Sequence, residues 1–311
     1  MRLLELKDNE FSLTKDIVNN KGEYAYAILS HTWGDDDDEV NYKDLTEGSG
    51  KTKTGYKKIL FCGEQAARDG LQYCWVDTCC IDKSNNTELS EAINSMFHWY
   101  QDADKCYVYL SDVSTNGHDQ VDVSPQSWQS AFRASRWFTR GWTLQELIAP
   151  PLVEFFCSSG KRLGDKKSLE RQLYEITGIA ISALRGKSLT AFSVKERVSW
   201  AENRMTTREE DKVYSLLGIF DIHMPLIYGE GAKNAFRRLR EELDKRLREH
   251  QLDELSTVQA THNSTKQLKT LYSQSSFLIP SGQDLNFLDH EPFFPTEYSV
   301  HGGKCKTIDR S

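Results

Sequence analysis

One carboxylate is set apart by its neighbours. In RGWTLQEL, Arg140 to Leu147, Glu146 follows Gly141-Trp142 by about one helical turn, lies between leucines and precedes Ala-Pro-Pro. Two readings compete on pattern alone. Thr143-Leu-Gln-Glu146 fits a capping box, in which the glutamate reaches back to the cap amide and has no further role. Alternatively, the carboxylate sits at a helix N-terminus beside Trp142 and faces a pocket, where the helix dipole favours its ionised form.

Other residues offer complementary chemistry. LSHTWG combines the Ser30 hydroxyl, the His31 ring nitrogens, the Trp33 face and the close backbone approach allowed at Gly34. The plain alternative is a strand-end turn lidded by Trp33. In WVDTCCID, Asp77 can orient a ribose hydroxyl or form an Asx turn, and Asp82 reads as a turn residue. Arg136 and Arg140 with Trp137 and Trp142 can grip a pyrophosphate and stack a base, or can be surface cations beside core rings. His31 with Cys79 or Cys80 is a weak nucleophile–base pairing. Asp35 to Glu39 lacks the glycine and ligand spacing of a calcium loop, and the cysteines lack the paired spacing of a zinc site, so no metal is expected. Neither a G-x-G-x-x-G nor a Walker A motif is present.

These groups need a scaffold. Tyr24–Ser30, Leu71–Asp77, Lys105–Asp112 and Pro151–Cys157 read as strands, the middle ones apolar enough to be buried on both faces. Gly55–Gly70 and Thr87–Ala103 carry helical periodicity between them. Gly70 is the expected stop of the first, and Asn86 or Thr87 the expected cap of the second. Strands alternating with helices predict an α/β fold with a parallel sheet covered on both sides. Ligands then sit beyond the carboxyl ends of the strands. That edge would gather Ser30–Gly34, Asp77–Asp82 and the loop after Leu110. Downstream, Ser168–Ile179, Ser193–Arg204, Glu209–Phe220 and Lys233–His250 show helical patterns. The expected organisation is an α/β core over 1–160, a helical extension over 161–250 and a linker or unassigned tail over 251–311.

Composition narrows the function classes. With 311 residues, a net charge of −7 and 27% charged residues, the chain reads as an ordinary water-soluble protein. The acidic balance argues against nucleic-acid binding. MRLLELKDNE has no apolar run for a signal peptide, and no segment reaches the roughly 20 apolar residues of a membrane span. Seven cysteines without a secretory signal suit reduced thiols in the cytoplasm, buried as small hydrophobes.

YAILSHTWG, GLQYCWVDTCCIDKSN and FTRGWTLQELIAP, in this order and spacing, resemble the HET domain of fungal heterokaryon (vegetative) incompatibility proteins. The resemblance continues through TTREEDKVYSLLGIFDIHMPLIYGEGAKNAFRRLREEL and covers roughly residues 1 to 245. It is similar to proteins in which this domain precedes NACHT and WD-repeat modules, neither of which is visible in the sequence. HET domains are regarded as distant relatives of TIR domains, which implies a TIR-like, flavodoxin-like fold with added C-terminal helices. WTLQEL matches the W-C-x-x-E-L pattern of NAD-cleaving TIR members, with Thr143 in place of the cysteine and a longer insertion, SWQSAFRASRWF, before it. The resemblance therefore implies that Glu146 is catalytic in a NAD glycohydrolase, NAD being substrate rather than cofactor, that self-association activates it, and that fungal cell death is the outcome. Ser30, His31, Trp33, Gly34, Asp77, Arg140 and Trp142 are the expected substrate contacts. The alternative is a non-enzymatic signalling module that acts through a partner.

Overall fold

The computed structural model describes residues 1–8, 10–17, 24–115 and 126–249. The chain opens with a hairpin, β1 (Leu4–Lys7) and β2 (Glu10–Leu13), paired antiparallel with Leu4 opposite Leu13 and Lys7 opposite Glu10. Asp8, at φ 51°, takes the left-handed conformation that a tight hairpin turn demands. The next strand, β3 (Tyr26–His31), is buried at every position. It runs parallel to β4 (Tyr73–Trp75) on one side and β5 (Lys105–Leu110) on the other. β5 is followed by parallel β6 (Val153–Cys157), and antiparallel β7 (Arg162–Asp165) closes that edge. The seven-stranded order is β2-β1-β4-β3-β5-β6-β7.

The α/β class holds, and the four strands read from sequence are the four parallel ones. The sheet as a whole is mixed, because β1 and β7 add antiparallel edges. Within the parallel set the order is second, first, third, fourth. The winding therefore reverses between β3 and β5, the kind of point beside which ligands sit at the strand carboxyl ends. The strand expected over Leu71–Asp77 shortens to three residues. Leu71 is held by the preceding helix, its amide donating to Ala66 O at 2.9 Å, and Val76 O turns away to accept from Cys80 N at 2.9 Å.

Helices α1 (Tyr42–Thr46), α2 (Tyr56–Arg68), α3 (Asn86–Asp102), α4 (Gln126–Arg133) and α5 (Thr143–Ile148) surround the sheet. α2 covers one face, where Phe61 meets Tyr107, Tyr109 and Phe156. α3 and α4 cover the other, where Trp75 packs on Tyr100 and Phe132 on Phe155. Gly70 ends α2 with φ 77°. The cap of α3 is Asn85, one residue before the expected pair, since its side-chain oxygen alone accepts from Thr87 N and Glu88 N.

Past β7 the chain is helical: α6 (Glu170–Thr177), α7 (Ile181–Leu184), α8 (Val194–Ser199), α9 (Asp211–Tyr214), α10 (Leu217–Phe220) and a run over 231–249. Ser193 and Glu196 form a true capping box at α8. Glu209–Phe220 is two helices rather than one. These helices belong to the same compact unit as the sheet, Met1–His250. The tail expected over 251–311 lies outside the described residues, and so do residues 116–125 of the loop after Leu110.

α10 seats against α3 at Gly218, where an added Cβ would fall 2.0 Å from Phe97 Cβ. Both backbones are fixed in helices, so a methyl cannot be absorbed by a rotamer change. Gly218→Ala is expected to lower unfolding free energy by about 1–3 kcal/mol. Denaturant titration checks this, and an unchanged midpoint would show that α3 and α10 can separate freely.

Candidate functional site

A cavity of about 420 Å³ lies at the carboxyl ends of β3 and β4, one strand away from the winding reversal. Its walls come from the loop after β3 (His31, Trp33, Asp36), the turn after β4 (Asp77, Ile81, Lys83), α3, the start of α5 (Arg140, Trp142, Thr143, Glu146) and a segment before α9 (Met205–Arg208), with Asp211 and Tyr228. A separate shallow hollow along Asn86–Ser95 of α3 holds Glu91 as its only titratable lining group.

Glu146 is one of the buried polar side chains and reaches the cavity wall. The capping box does not form. α5 begins one residue earlier than that box requires: Trp142, not Thr143, is the cap residue, and it makes no side-chain cap bond. The Thr143 hydroxyl instead donates to Trp137 O at 2.6 Å and accepts from Arg204 Nη1 at 2.8 Å. The Glu146 carboxylate takes its hydrogen bond from across the molecule, from Ser30 Oγ at 2.5 Å. Ser30 in turn accepts from Trp137 Nε1 at 2.8 Å. Indole, hydroxyl and carboxylate thus form a buried chain linking the end of β3 to α5. Ser30 is fully buried and acts on the carboxylate, not on the cavity.

Burial reverses the expected ionisation. It pushes the Glu146 carboxyl from its ordinary 4.5 up to about 8; the Ser30 hydrogen bond opposes the rise, nearby Asp77 adds to it, and Arg204 and Arg140 oppose it. A six-residue helix offers too little dipole to offset this desolvation. Arg204 is itself buried, and its guanidinium falls to about 10, by desolvation first, with Glu146 pulling the other way.

The rest of the site is cross-braced. Trp33 Nε1 donates to Asp77 Oδ2 at 2.9 Å, and Lys83 Nζ lies 3.7 Å above the Trp33 ring centre. Burial raises the Asp77 carboxyl and depresses His31 well below its ordinary value. His31 Nδ1 stands 3.9 Å from Asp77 Oδ1, and both His31 Nε2 and Asp77 Oδ1 are buried without hydrogen-bond partners. Gly34 stays off the cavity wall; its amide donates to Glu39 Oε1 at 2.6 Å. Glu39 also pairs with Lys58.

Several expected groups lie elsewhere. Arg136 is exposed and faces Asp112 at 3.8 Å, away from the cavity. Trp137 is core. Asp112, after β5, accepts from Ser135 and Arg136 N, so that loop's described part does not join the edge. Cys79 is buried, with its thiol raised well above the ordinary range by adjacent Cys80 and by burial, so it supplies no thiolate to His31. All six described cysteines are free and buried. Among the described residues no His, Cys, Asp and Glu group is placed to hold a metal ion, and no helix is long and apolar enough to cross a membrane.

The far wall was not read from sequence. Met205 N donates to Thr139 O, and Gly141 N donates to Met205 O at 2.9 Å, stitching the 205–208 segment to the start of α5. Gly141 permits this approach, since a Cβ there would lie 2.4 Å from Thr206 Cγ2. Asp211 accepts from the Tyr228 hydroxyl at 3.0 Å, and Arg208 stacks 4.2 Å above the Tyr228 ring centre. Glu210 holds that loop through Gly229 N and Gly231 N at 2.8 and 2.9 Å. The sequence signal was the polar TTREED and the glycine-punctuated IYGEG between helices.

With this geometry in place, the class follows: residues 26–129 match the family described as heterokaryon incompatibility protein (HET), so the chain carries a HET domain. It is 60% identical over 246 residues to vegetative incompatibility protein HET-E-1 of Podospora anserina, a match spanning 79% of this chain and 18% of that protein. No solved structure matches.

A carboxyl raised in the folded state keeps its proton while the unfolded chain loses it, so folding stability falls as pH rises from about 4.5 to about 8. Glu146→Gln removes this dependence. Unfolding free energies of the parent and variant are expected to diverge across that window, by at most roughly 1.4 kcal/mol per pH unit. Parallel curves would place Glu146 in a wetter setting.

Proposed function

We propose that the cavity binds NAD and cleaves its nicotinamide–ribose bond, releasing nicotinamide and ADP-ribose. The observation that carries the reading is the buried carboxylate of Glu146, braced by Ser30 and Trp137 at the wall of a cavity at the strand ends. The bond-breaking electrons pass to the ring nitrogen of an already cationic leaving group, so no acid is required to expel it. An electron-poor ribosyl centre remains, and a fixed anion stabilises it as a carboxylate does in glycosidases. Water adds to that carbon and its proton goes to solvent. Arg140 and Arg204 favour the ionised form of Glu146. A bound pyridinium cation would favour it further. Trp33 or Trp142 would stack a ring, and Asp77 would hold a ribose hydroxyl.

In the cell this activity would drive the death response of vegetative incompatibility, in keeping with the role named for the Podospora relative. Self-association would complete or activate the site, and NACHT and WD-repeat modules would control it in longer proteins.

The test is nicotinamide release from NAD by protein clustered on an oligomerising fusion. Glu146→Gln is expected to lower the rate by roughly 10²–10³ while folding normally. The parent's kcat/KM should rise with pH and level off near 8, because the free protein must lose the Glu146 proton. If clustered parent and variant leave NAD equally untouched while still killing cells, the domain signals through a partner instead.

A further inference from the structure

Basic side chains around the sheet are generally committed: Lys58 to Glu39, Lys53 to Asp44, Arg2 to Glu88 and Arg238 to Glu230. The cavity departs from this. Lys83, Arg140 and Arg208 all line it, and among the described residues none of these three is ion-paired to a carboxylate. Lys83 and Arg208 rest on aromatic faces, Trp33 and Tyr228, which hold a cation in place without neutralising it. Four acids share the lining, Asp36, Asp77, Glu146 and Asp211; Asp77 accepts from Trp33 through one oxygen, Asp211 from Tyr228 and Glu146 from Ser30. Burial also biases Asp77 and Asp211 toward the neutral form. Three cations out of ion-pair contact, from three separate segments around one hollow, are available to an anion.

We propose that Lys83, Arg140 and Arg208 form a diphosphate subsite, and that the ligand is a nucleoside diphosphate derivative whose sugar end reaches Glu146. This deepens the NAD reading and rests on it for the identity of the other end. A guanidinium binds phosphate oxygens through a planar pair of donors, whereas the Lys83 ammonium acts as a point charge. Arg140 and Arg208 come from the two segments that the Gly141–Met205 backbone bond ties together, so both side chains arise from one joined wall. Lys83 completes the cradle from the β4 side.

The experiment is calorimetric titration of the intact protein with ADP, and with adenosine as the uncharged control, alongside NAD turnover. Arg208 is exposed, so Arg208→Gln does not endanger folding, and Arg208→Lys retains charge without the fork. ADP is expected to bind with an affinity that falls as salt rises, weakened roughly ten-fold or more by Arg208→Gln or Lys83→Gln and less by Arg208→Lys. Adenosine affinity should not change between variants. ADP binding that is absent, or equal in parent and both Gln variants, overturns the subsite even if NAD is cleaved. Charge-dependent ADP binding without NAD turnover upholds the subsite and removes the hydrolysis reading.

Discussion

A carboxylate withdrawn from water organises this molecule. Glu146 is reached by a hydroxyl on the end of β3, which is itself held by an indole from the segment before α5, and a buried guanidinium approaches from the helical half. Burying a carboxyl costs several kcal/mol unless it is hydrogen-bonded or neutralised. The protein meets this cost in part with Ser30 and in part by retaining a proton near neutrality. Each solution constrains the backbone: β3 must end with Ser30 facing α5, and α5 must start at Thr143 rather than Leu144.

The second half of the chain is therefore part of the site and not an accessory to it. Arg204 donates to Arg140 O and Thr143 Oγ1, and Met205 pairs with Arg140 as an isolated parallel bridge. Through these bonds the position of α5, and with it the direction of the Glu146 side chain, depends on residues about sixty positions downstream. Glu210 and Gly231 then hold Tyr228 against the same wall.

The parallel strands were legible because strands buried on both faces are written as short apolar runs, as in CYVYL and CWV. The β1–β2 hairpin carried a readable signal too, since LELK and EFSL flank Asp-Asn, but its alternation is short. β7 was opaque: RLGD lies at an edge, with Gly164 tucked against Leu169, and edge strands need little apolar pattern. Glu146 was legible as a candidate, while its ionisation was not, because desolvation depends on what covers a residue rather than on its neighbours in sequence. Ser30 was assigned to a ligand from its place in LSHTWG; its true partner lies 116 positions away. Arg208 and Tyr228 were missed because polar residues between helices look alike whether they face solvent or a cavity.

The backbone stitch between Gly141 and Met205 also bears on where a shortened protein can be cut. The stretch that matches the family, residues 26–129, ends before Glu146 and well before Met205. A fragment with those boundaries would carry β3, β4 and β5 but expose the crevice floor to water, with neither the acid nor its far wall. The smallest piece that retains the enclosed cavity runs through Tyr228 and on to the helix over 231–249, whose Arg238 anchors Glu230 and Pro225 O beside it.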